Sequence, residues 1–233
     1  RRISSAASDV YKRQELGKIW SKFPAYEKKQ EILNLINNNN VMLIISGTGS
    51  GKTVLIPKFA LHTTEYKGKI AITLPKKITA KSSAEFAAQT LDVKLGNQVG
   101  YQYRGSEKHG RSDKTQLLYC TDGTLVSRLS KDPELREFDI VIIDEAHERK
   151  VNIDFLLYLL RKVVQKRPEF KLIIMSATIN EKIFRDYFKN EKYDDLMIGG
   201  KTNYPIESIF LKSQLDEKNK YFEKGLEMIE QIM

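Results

Sequence analysis

The chain alternates between short runs of apolar residues and longer segments in which apolar and polar positions mix at helical spacing. From about Ile32 onward, the apolar runs predict strands at Val41–Ile45, Lys69–Thr73, Gln116–Cys120, Ile140–Ile143 and Leu172–Met175. The amphipathic segments predict helices at Thr53–His62, Thr79–Leu91, Gly123–Ser130 and Ile153–Gln165. Strands that are apolar throughout are buried on both faces, so this alternation indicates an α/β fold with a mostly parallel β-sheet flanked by helices. In such a sheet, ligands bind at the carboxyl ends of the strands.

The composition is that of a globular protein with a basic excess. Hydrophobic residues make up 41% and charged residues 30% of the 233 positions. The formal net charge of +9 favours a nucleic-acid partner, although a solvated lysine-rich surface explains it equally well. No apolar run approaches the roughly 20 residues that span a membrane, so we predict no membrane partner.

The single cysteine, Cys120, follows the apolar residues Leu117–Tyr119, and we expect it to be a core residue. It cannot form an internal disulfide, and a zinc site would need more ligands than one cysteine and three histidines readily supply. These features favour a reducing, intracellular location, with no indication of cytoplasm or nucleus.

Both ends of the chain are unusual. Residues 1–14 resemble a translated adapter sequence, and we interpret them as a non-native or disordered leader; a genuine N-terminal arm is the alternative. At the other end, Tyr221–Met233 predicts an amphipathic helix without a capping or stop signal. We therefore base the fold prediction on the residues between these segments.

The first predicted strand runs into a glycine-rich segment that predicts a phosphate-binding loop. The segment consists of Ser46, Gly47, Thr48, Gly49, Ser50, Gly51, Lys52 and Thr53. Backbone N–H groups in such a loop cradle phosphates, and the following helix adds its positive dipole end. Lys52 is placed to contact the β- and γ-phosphates of ATP, and the Thr53 hydroxyl is placed to hold Mg²⁺. Ser46 stands where the strict pattern has glycine, and we expect the turn to accept this small residue at a modest backbone cost.

A second strand, Ile140–Ile143, runs directly into Asp144 and Glu145. This order places two acids at the ligand edge of the sheet, where Asp144 can bind Mg²⁺ through water. Glu145 is then placed to orient and deprotonate the attacking water. An Asp-Glu pair after a strand is weak evidence alone, but a phosphate loop about 90 residues earlier in the same sheet makes it strong evidence.

In their order along the chain, these motifs resemble those of the DEAH-box helicases of superfamily 2. The matching stretches are Gly47–Thr53, Thr73–Lys77, Val99–Arg104, Thr121–Leu125, Asp144–Arg149 and Ser176–Thr178. The resemblance covers about Phe23 to Ser208 and implies a RecA-like P-loop NTPase domain, which we place at residues 15–200. Residues 201–233 resemble the start of a second RecA-like domain, with a strand near Ile206–Leu211 and one helix.

The resemblance also implies a nucleic-acid interface near the nucleotide site. The residues that it points to are Pro75, Lys76, Lys77, Arg104, Thr121, Asp122 and Gly123. The family usually has two arginines where Lys76 and Lys77 stand; lysine keeps the charge but loses the bidentate fork on phosphate. A solvated turn is the alternative for the two lysines, and the role of Arg104 is equally open.

Further positions have roles only through the resemblance. In the family, the segment matching Ser176 and Thr178 links the ATP state to strand movement, and the residue matching His147 couples γ-phosphate sensing to the partner domain. Phe86 stands where the family commonly has an arginine that stacks on adenine. A stacking phenylalanine and a core residue are both consistent with its position.

The resemblance implies an ATP-dependent RNA helicase motor domain that uses ATP and Mg²⁺. Its implied partners are single-stranded or duplex RNA, with DNA as an alternative, and a second RecA-like domain of the same full-length chain. That second domain would complete the ATP site, so we expect the 233-residue chain alone to hydrolyse ATP weakly or not at all. A P-loop NTPase driving another process and a non-catalytic nucleic-acid-binding module are the remaining interpretations.

Overall fold

The computed structural model describes residues 15, 17–106, 110–178, 180–199 and 218–232. Its contacts divide the chain after Gly200 into two compact units, which are described separately. The predicted leader at residues 1–14 and the predicted strand near Ile206–Leu211 lie outside the described residues. In the second unit, the described residues form one helix, and the predicted helix at Tyr221–Met233 corresponds to it.

The described part of the first unit is built on a parallel sheet with helices on both faces. Its strands are β1 (Val41–Ser46), β2 (Ile70–Leu74), β3 (Val99–Gln102), β4 (Leu117–Thr121), β5 (Ile140–Ile143), β6 (Lys171–Ser176) and β7 (Tyr193–Ile198). They lie in the order β3-β4-β2-β5-β6-β1-β7, and every paired neighbour is parallel. The α/β prediction is confirmed, and its five strands are present with ends shifted by at most one residue.

The helices connect these strands across the two faces of the sheet. They are α1 (Pro24–Glu27), α2 (Lys29–Asn38), α3 (Lys52–Thr63), α4 (Lys77–Leu91), α5 (Asp122–Lys131), α6 (Val151–Lys166) and α7 (Glu181–Tyr187), with α8 (Lys218–Ile232) in the second unit. A 3₁₀ turn covers Ala146–Glu148. Among the described residues, none of the helices has both the length and the apolar character required to cross a membrane.

Each face of the sheet has its own hydrophobic core, and the strands contribute to both. In β1, Met42 and Ile44 belong to one buried cluster, whereas Val41, Leu43 and Ile45 belong to the other. Successive side chains of a strand point to opposite faces, so a strand covered on both sides must be apolar at every position. This requirement explains why the central strands could be predicted from the sequence.

The two edge strands, β3 and β7, were not predicted. In β7, Asp194 and Met197 are exposed while Ile198 is buried, so the strand lacks a continuous apolar run. In β3, Gly100 interrupts the run of apolar side chains. Glycine is required there because a Cβ atom would lie 2.7 Å from the Gly110 carbonyl oxygen. The exposed positions of β7 agree with its place at the edge of the sheet, whereas Val99 and Tyr101 of β3 are buried in the core.

Candidate functional site

The glycine-rich loop joins the carboxyl end of β1 to the first turn of α3. Gly49 and Gly51 have φ angles of 81° and 83°, in the left-handed region that favours glycine. A Cβ atom at Gly51 would lie 2.6 Å from the Phe23 side chain, so this position also requires a residue without a side chain. The backbone N–H of Ala25 donates to the Ser50 carbonyl at 3.0 Å, which ties the start of α1 to the loop.

Ser46 makes a contact that a glycine could not make. Its hydroxyl lies 2.9 Å from the Ser50 hydroxyl, and both side chains are buried. The departure from the strict loop pattern therefore introduces a hydrogen bond across the base of the loop. This bond restricts the loop where a glycine would leave the backbone freer.

The four residues predicted for catalysis and metal binding lie together at the ends of β1 and β5. The Thr53 hydroxyl donates to Asp144 Oδ2 at 2.5 Å, across 91 positions of sequence. Lys52 is 5% exposed, and its Nζ lies 3.4 Å from Glu145 Oε1. The Tyr119 hydroxyl donates to the Thr53 carbonyl at 3.2 Å and supports the same turn of α3 from β4.

Asp144 is buried, and burial raises the pKa of its carboxyl group to about 6. The hydrogen bond from Thr53 and the charge of Lys52 oppose this effect, whereas the charge of Glu145 adds to it. The Glu145 backbone N–H donates to Asp144 Oδ1 at 2.8 Å. Glu145 itself has a φ of 56°, a strained value for a non-glycine residue, and such strain is concentrated at functional sites.

His147 lies between the acidic pair and the segment after β6. The Ala177 backbone N–H donates to His147 Nδ1 at 3.3 Å, and Nδ1 is 3.4 Å from Glu145 Oε2. The Ser176 hydroxyl donates to the Thr178 carbonyl at 3.3 Å and closes a tight turn at the end of β6. The three predicted coupling residues therefore form one contact region beside Glu145.

The residues predicted to contact nucleic acid lie at the ends of β2, β3 and β4. Lys76 and Lys77 are exposed at the start of α4, and Pro75 precedes them after β2. Lys77 Nζ donates to the Arg104 carbonyl at 2.9 Å and lies 5.8 Å from the centre of the Tyr103 ring. Both lysines are exposed, so the solvated-turn alternative stays open for each of them.

Arg104, Thr121 and Gly123 line a single cleft of about 760 Å³. The other lining residues are Gln102, Tyr103, Thr124, Ser127, Arg128 and Lys131. Arg128 is held by Glu137 and Gln102, and Lys131 ends α5. Sequence reasoning missed these two cations, although their spacing along α5 places them on the helix face that carries Thr124 and Ser127.

Asp122 differs from its predicted neighbours because its side chain is 4% exposed. It does not line the cleft that Thr121 and Gly123 line. Phe86 is half-buried on α4, and within the described part of the chain it belongs to neither hydrophobic cluster. A core role for Phe86 is therefore not supported, and stacking on adenine stays a prediction.

The strand order separates the two sets of residues. The phosphate loop, the Asp144–Glu145 pair and the Ser176–Thr178 turn follow β1, β5 and β6, which are neighbours in the sheet. The predicted nucleic-acid residues follow β3, β4 and β2, which form the other half. The boundary between the halves lies between β2 and β5.

Comparison with known proteins identifies the family to which the chain belongs. The profile of the DEAD/DEAH box helicase family matches residues 26–185, and the chain belongs to this family. It is 43% identical over 228 residues to a protein of Acanthamoeba polyphaga mimivirus that is named as an ATP-dependent RNA helicase. It is 42% identical over 190 residues to the ATP-dependent RNA helicase HrpA of Borreliella burgdorferi, and 40% identical over 205 residues to a DExH-box ATP-dependent RNA helicase of Arabidopsis thaliana.

The chain spans only part of the length of these relatives. The three alignments include 97%, 81% and 86% of this chain but 32%, 22% and 20% of the respective relatives. The region of similarity contains both halves of the site described above. ATP use is shared across the family, as the names of the relatives state.

Proposed function

We propose that this chain is the first RecA-like motor domain of an ATP-dependent RNA helicase. The observation that carries the proposal is the joining of two distant motifs by the Thr53–Asp144 hydrogen bond and the Lys52–Glu145 ion pair. These contacts bring a buried lysine, a hydroxyl and two carboxylates together at one edge of a sheet. That set of groups suits phosphoryl transfer from a nucleotide to water.

The arrangement of Lys52 suggests how ATP enters the site. Its ammonium group is buried and forms an ion pair with Glu145. We expect the β- and γ-phosphates to replace Glu145 as the partner of Lys52, because a polyphosphate carries more negative charge than one carboxylate. This exchange frees Glu145 to accept a proton from the attacking water.

Thr53 and Asp144 supply the groups that would hold Mg²⁺. A hydroxyl and a buried carboxylate are oxygen ligands of the kind that Mg²⁺ prefers, and nucleotide oxygens and water would complete its shell. When bound, the ion neutralises charge on the phosphates. No group of three or more His, Cys, Asp or Glu side chains suited to a metal occurs among the described residues, so we propose no site of another kind.

RNA is the proposed partner at the other half of the sheet edge. Lys76, Arg104 and Lys131 provide positive charge there, and the relatives are named as RNA helicases. Contacts to a phosphate backbone carry little information on the sugar, so DNA stays the alternative. We also propose a second RecA-like domain as the partner that completes the ATP site. We also propose an intracellular location, because the sequence has a single cysteine and so no internal disulfide.

The deciding experiment measures ATP hydrolysis by the whole protein with no nucleic acid, with single-stranded RNA and with single-stranded DNA. We expect RNA to stimulate hydrolysis, and Glu145→Gln to abolish it while ATP still binds. Glu65→Gln is the matched control because Glu65 is 80% exposed and paired with Lys67 away from the site. A rate of ATP hydrolysis that neither RNA nor DNA changes would instead support a P-loop NTPase that drives another process.

A further inference from the structure

The cleft at the ends of β3 and β4 is lined by cations and hydroxyl groups. Its volume is about 760 Å³, and none of the lining residues that the structure describes is acidic. Arg104 lies in the loop after β3, and Lys131 lies in the last turn of α5. Arg128 also lines the cleft, but its guanidinium group is paired with Glu137. The lining therefore suits a chain of phosphates that passes from one cation to the other.

Between Arg104 and Lys131, a row of hydroxyl groups faces the cleft. Thr121 precedes α5, Thr124 and Ser127 follow at intervals of three residues, and Lys131 comes four residues later. Residues three and four apart lie on the same face of a helix. At a rise of about 1.5 Å per residue, the row extends about 15 Å from Thr121 to Lys131. This length is enough to follow a strand over more than one nucleotide.

The hydroxyl groups have hydrogen-bonding capacity left for a ligand. Ser127 is exposed, and within the described part of the chain its hydroxyl makes no hydrogen bond. On the same helix, the Ser130 hydroxyl instead donates to the Val126 carbonyl at 3.0 Å. The Thr121 and Thr124 hydroxyls lie 2.9 Å apart, and this single bond leaves the pair with one donor and further acceptor positions. The row can therefore both donate to and accept from a bound group.

A ribose 2′-OH is the group that complements this row. It is itself a donor and an acceptor, and its presence distinguishes RNA from DNA. A phosphate bound by Lys131 brings the adjoining sugar beside Ser127, because the two residues are one helical turn apart. The hydroxyl groups carry no charge, so the phosphates are left to the cations and the sugars to the hydroxyls.

We propose that the Thr124 and Ser127 hydroxyls bind ribose 2′-OH groups and so make the cleft select RNA over DNA. This inference rests on the proposed function, which leaves the choice between RNA and DNA open. Neither residue is among those that the family resemblance assigned to nucleic acid. The cations supply affinity for any phosphate backbone, whereas the two hydroxyls read the sugar.

The test compares the affinities of the whole protein for a single-stranded RNA and for a DNA of the same sequence. The DNA carries uracil instead of thymine, so the two strands differ only in the 2′-OH. Each affinity is measured by fluorescence anisotropy in the presence of a saturating non-hydrolysable ATP analogue. The proteins are the wild type, Ser127→Ala, Thr124→Val, Thr124→Ser, Lys131→Ala and Ser130→Ala.

We expect the wild type to bind RNA more tightly than DNA. Ser127→Ala and Thr124→Val should each weaken RNA binding about fivefold, as the loss of one hydrogen bond does, and leave DNA binding unchanged. Thr124→Ser should retain the RNA affinity because it keeps the hydroxyl. Lys131→Ala should weaken both strands by the same factor, since both carry phosphates. Ser130→Ala is the matched control, because Ser130 bonds to its own helix and does not line the cleft.

RNA and DNA affinities that fall together in Ser127→Ala and Thr124→Val would overturn the assignment, since the hydroxyls would then act on a feature that both strands share. An RNA-to-DNA ratio that neither variant changes would also overturn it, as would a wild type that binds both strands equally. These results leave the proposed function intact. ATP hydrolysis that neither strand stimulates would remove the proposed function and this inference together.

Discussion

Thr53 Oγ1 donates to Asp144 Oδ2 at 2.5 Å and so joins the first turn of α3 to the end of β5. Asp144 is buried, and its carboxylate depends on this donor and on the Glu145 backbone N–H. The two oxygens are also the groups proposed to hold Mg²⁺. The hydrogen bond therefore preorganises the site, since it holds both side chains in place.

Replacing Thr53 tests this preorganisation. Thr53→Val keeps the shape but removes the hydroxyl, and a hydrogen bond to a charged group contributes about 1.5–3 kcal/mol. We expect the affinity for the Mg²⁺–nucleotide complex to fall about tenfold or more. Thr53→Ser should retain most of the affinity because it keeps the oxygen. Equal affinities of the valine and serine variants in titrations with a fluorescent nucleotide would contradict the assignment.

The pKa of Asp144 predicts a pH dependence of Mg²⁺ binding. Its value of about 6 means that the carboxyl group becomes protonated as the pH falls through that value, and a metal ligand must be deprotonated. We expect the Mg²⁺-dependent part of nucleotide affinity to weaken between pH 7 and pH 5. Asp144→Asn lacks this titration, so the wild-type and variant curves should differ most above pH 6 and converge below it. Parallel curves would exclude Asp144 as the titrating ligand.

Ser46 should stabilise the phosphate loop beyond what a glycine does. Ser46→Ala removes the hydrogen bond to Ser50, and a typical intramolecular hydrogen bond contributes about 1 kcal/mol. We expect a decrease of that order in the free energy of unfolding and a weaker affinity for ATP. Ser130→Ala is the control, since Ser130 is exposed and bonds to its own helix. Unchanged stability in Ser46→Ala, measured by urea unfolding, would show that the bond is without consequence.

The buried charge of Lys58 should reduce the free energy of unfolding. Its ammonium group is buried between Thr90 and the Trp20 ring, with no carboxylate in ion-pair contact among the described residues. Burial lowers its pKa from 10.5 to about 7. The unfolded chain therefore binds the extra proton between these values, and the free energy of unfolding should rise as the pH increases from 7 toward 10.5.

The variant Lys58→Met should be more stable than the wild type at pH 7, and the advantage should shrink at pH 9.5. At about 1.4 kcal/mol per pH unit, the lowered pKa sets an upper limit of about 5 kcal/mol on the gain. Loss of the contacts with Thr90 and Trp20 reduces it. Lys67→Met is the control because Lys67 is 81% exposed. A gain of the same size at both pH values, measured by urea unfolding, would argue against a charge effect.

The basic residues around the cleft predict a salt dependence of RNA binding. If Lys131 or Arg104 contacts a phosphate, its replacement by alanine should reduce the slope of log affinity against log salt concentration by about 0.7 for a single strand. Lys67→Ala should leave the slope unchanged. An unaltered slope in both cleft variants would place the RNA elsewhere.

Several features of the chain were decided by local sequence. The central strands carry apolar residues at every position because both of their faces are covered, and the phosphate loop and the Asp144–Glu145 pair follow such strands directly. Phosphate binding needs specific residue types at fixed short spacing, so these groups were identifiable without coordinates. The residues expected to contact nucleic acid were named only through the family resemblance. The family itself is confirmed.

Other features arose only from the tertiary structure. β1 follows α2 in the chain but pairs with β6 and β7, and β5 lies between β2 and β6. This order brings Thr53 to Asp144 and assembles Arg128 and Lys131 with Arg104. Strand order is set by how the helices pack across both faces of the sheet, a condition that involves the whole domain. The sequence determined which groups could perform the chemistry, and long-range packing decided which of them meet.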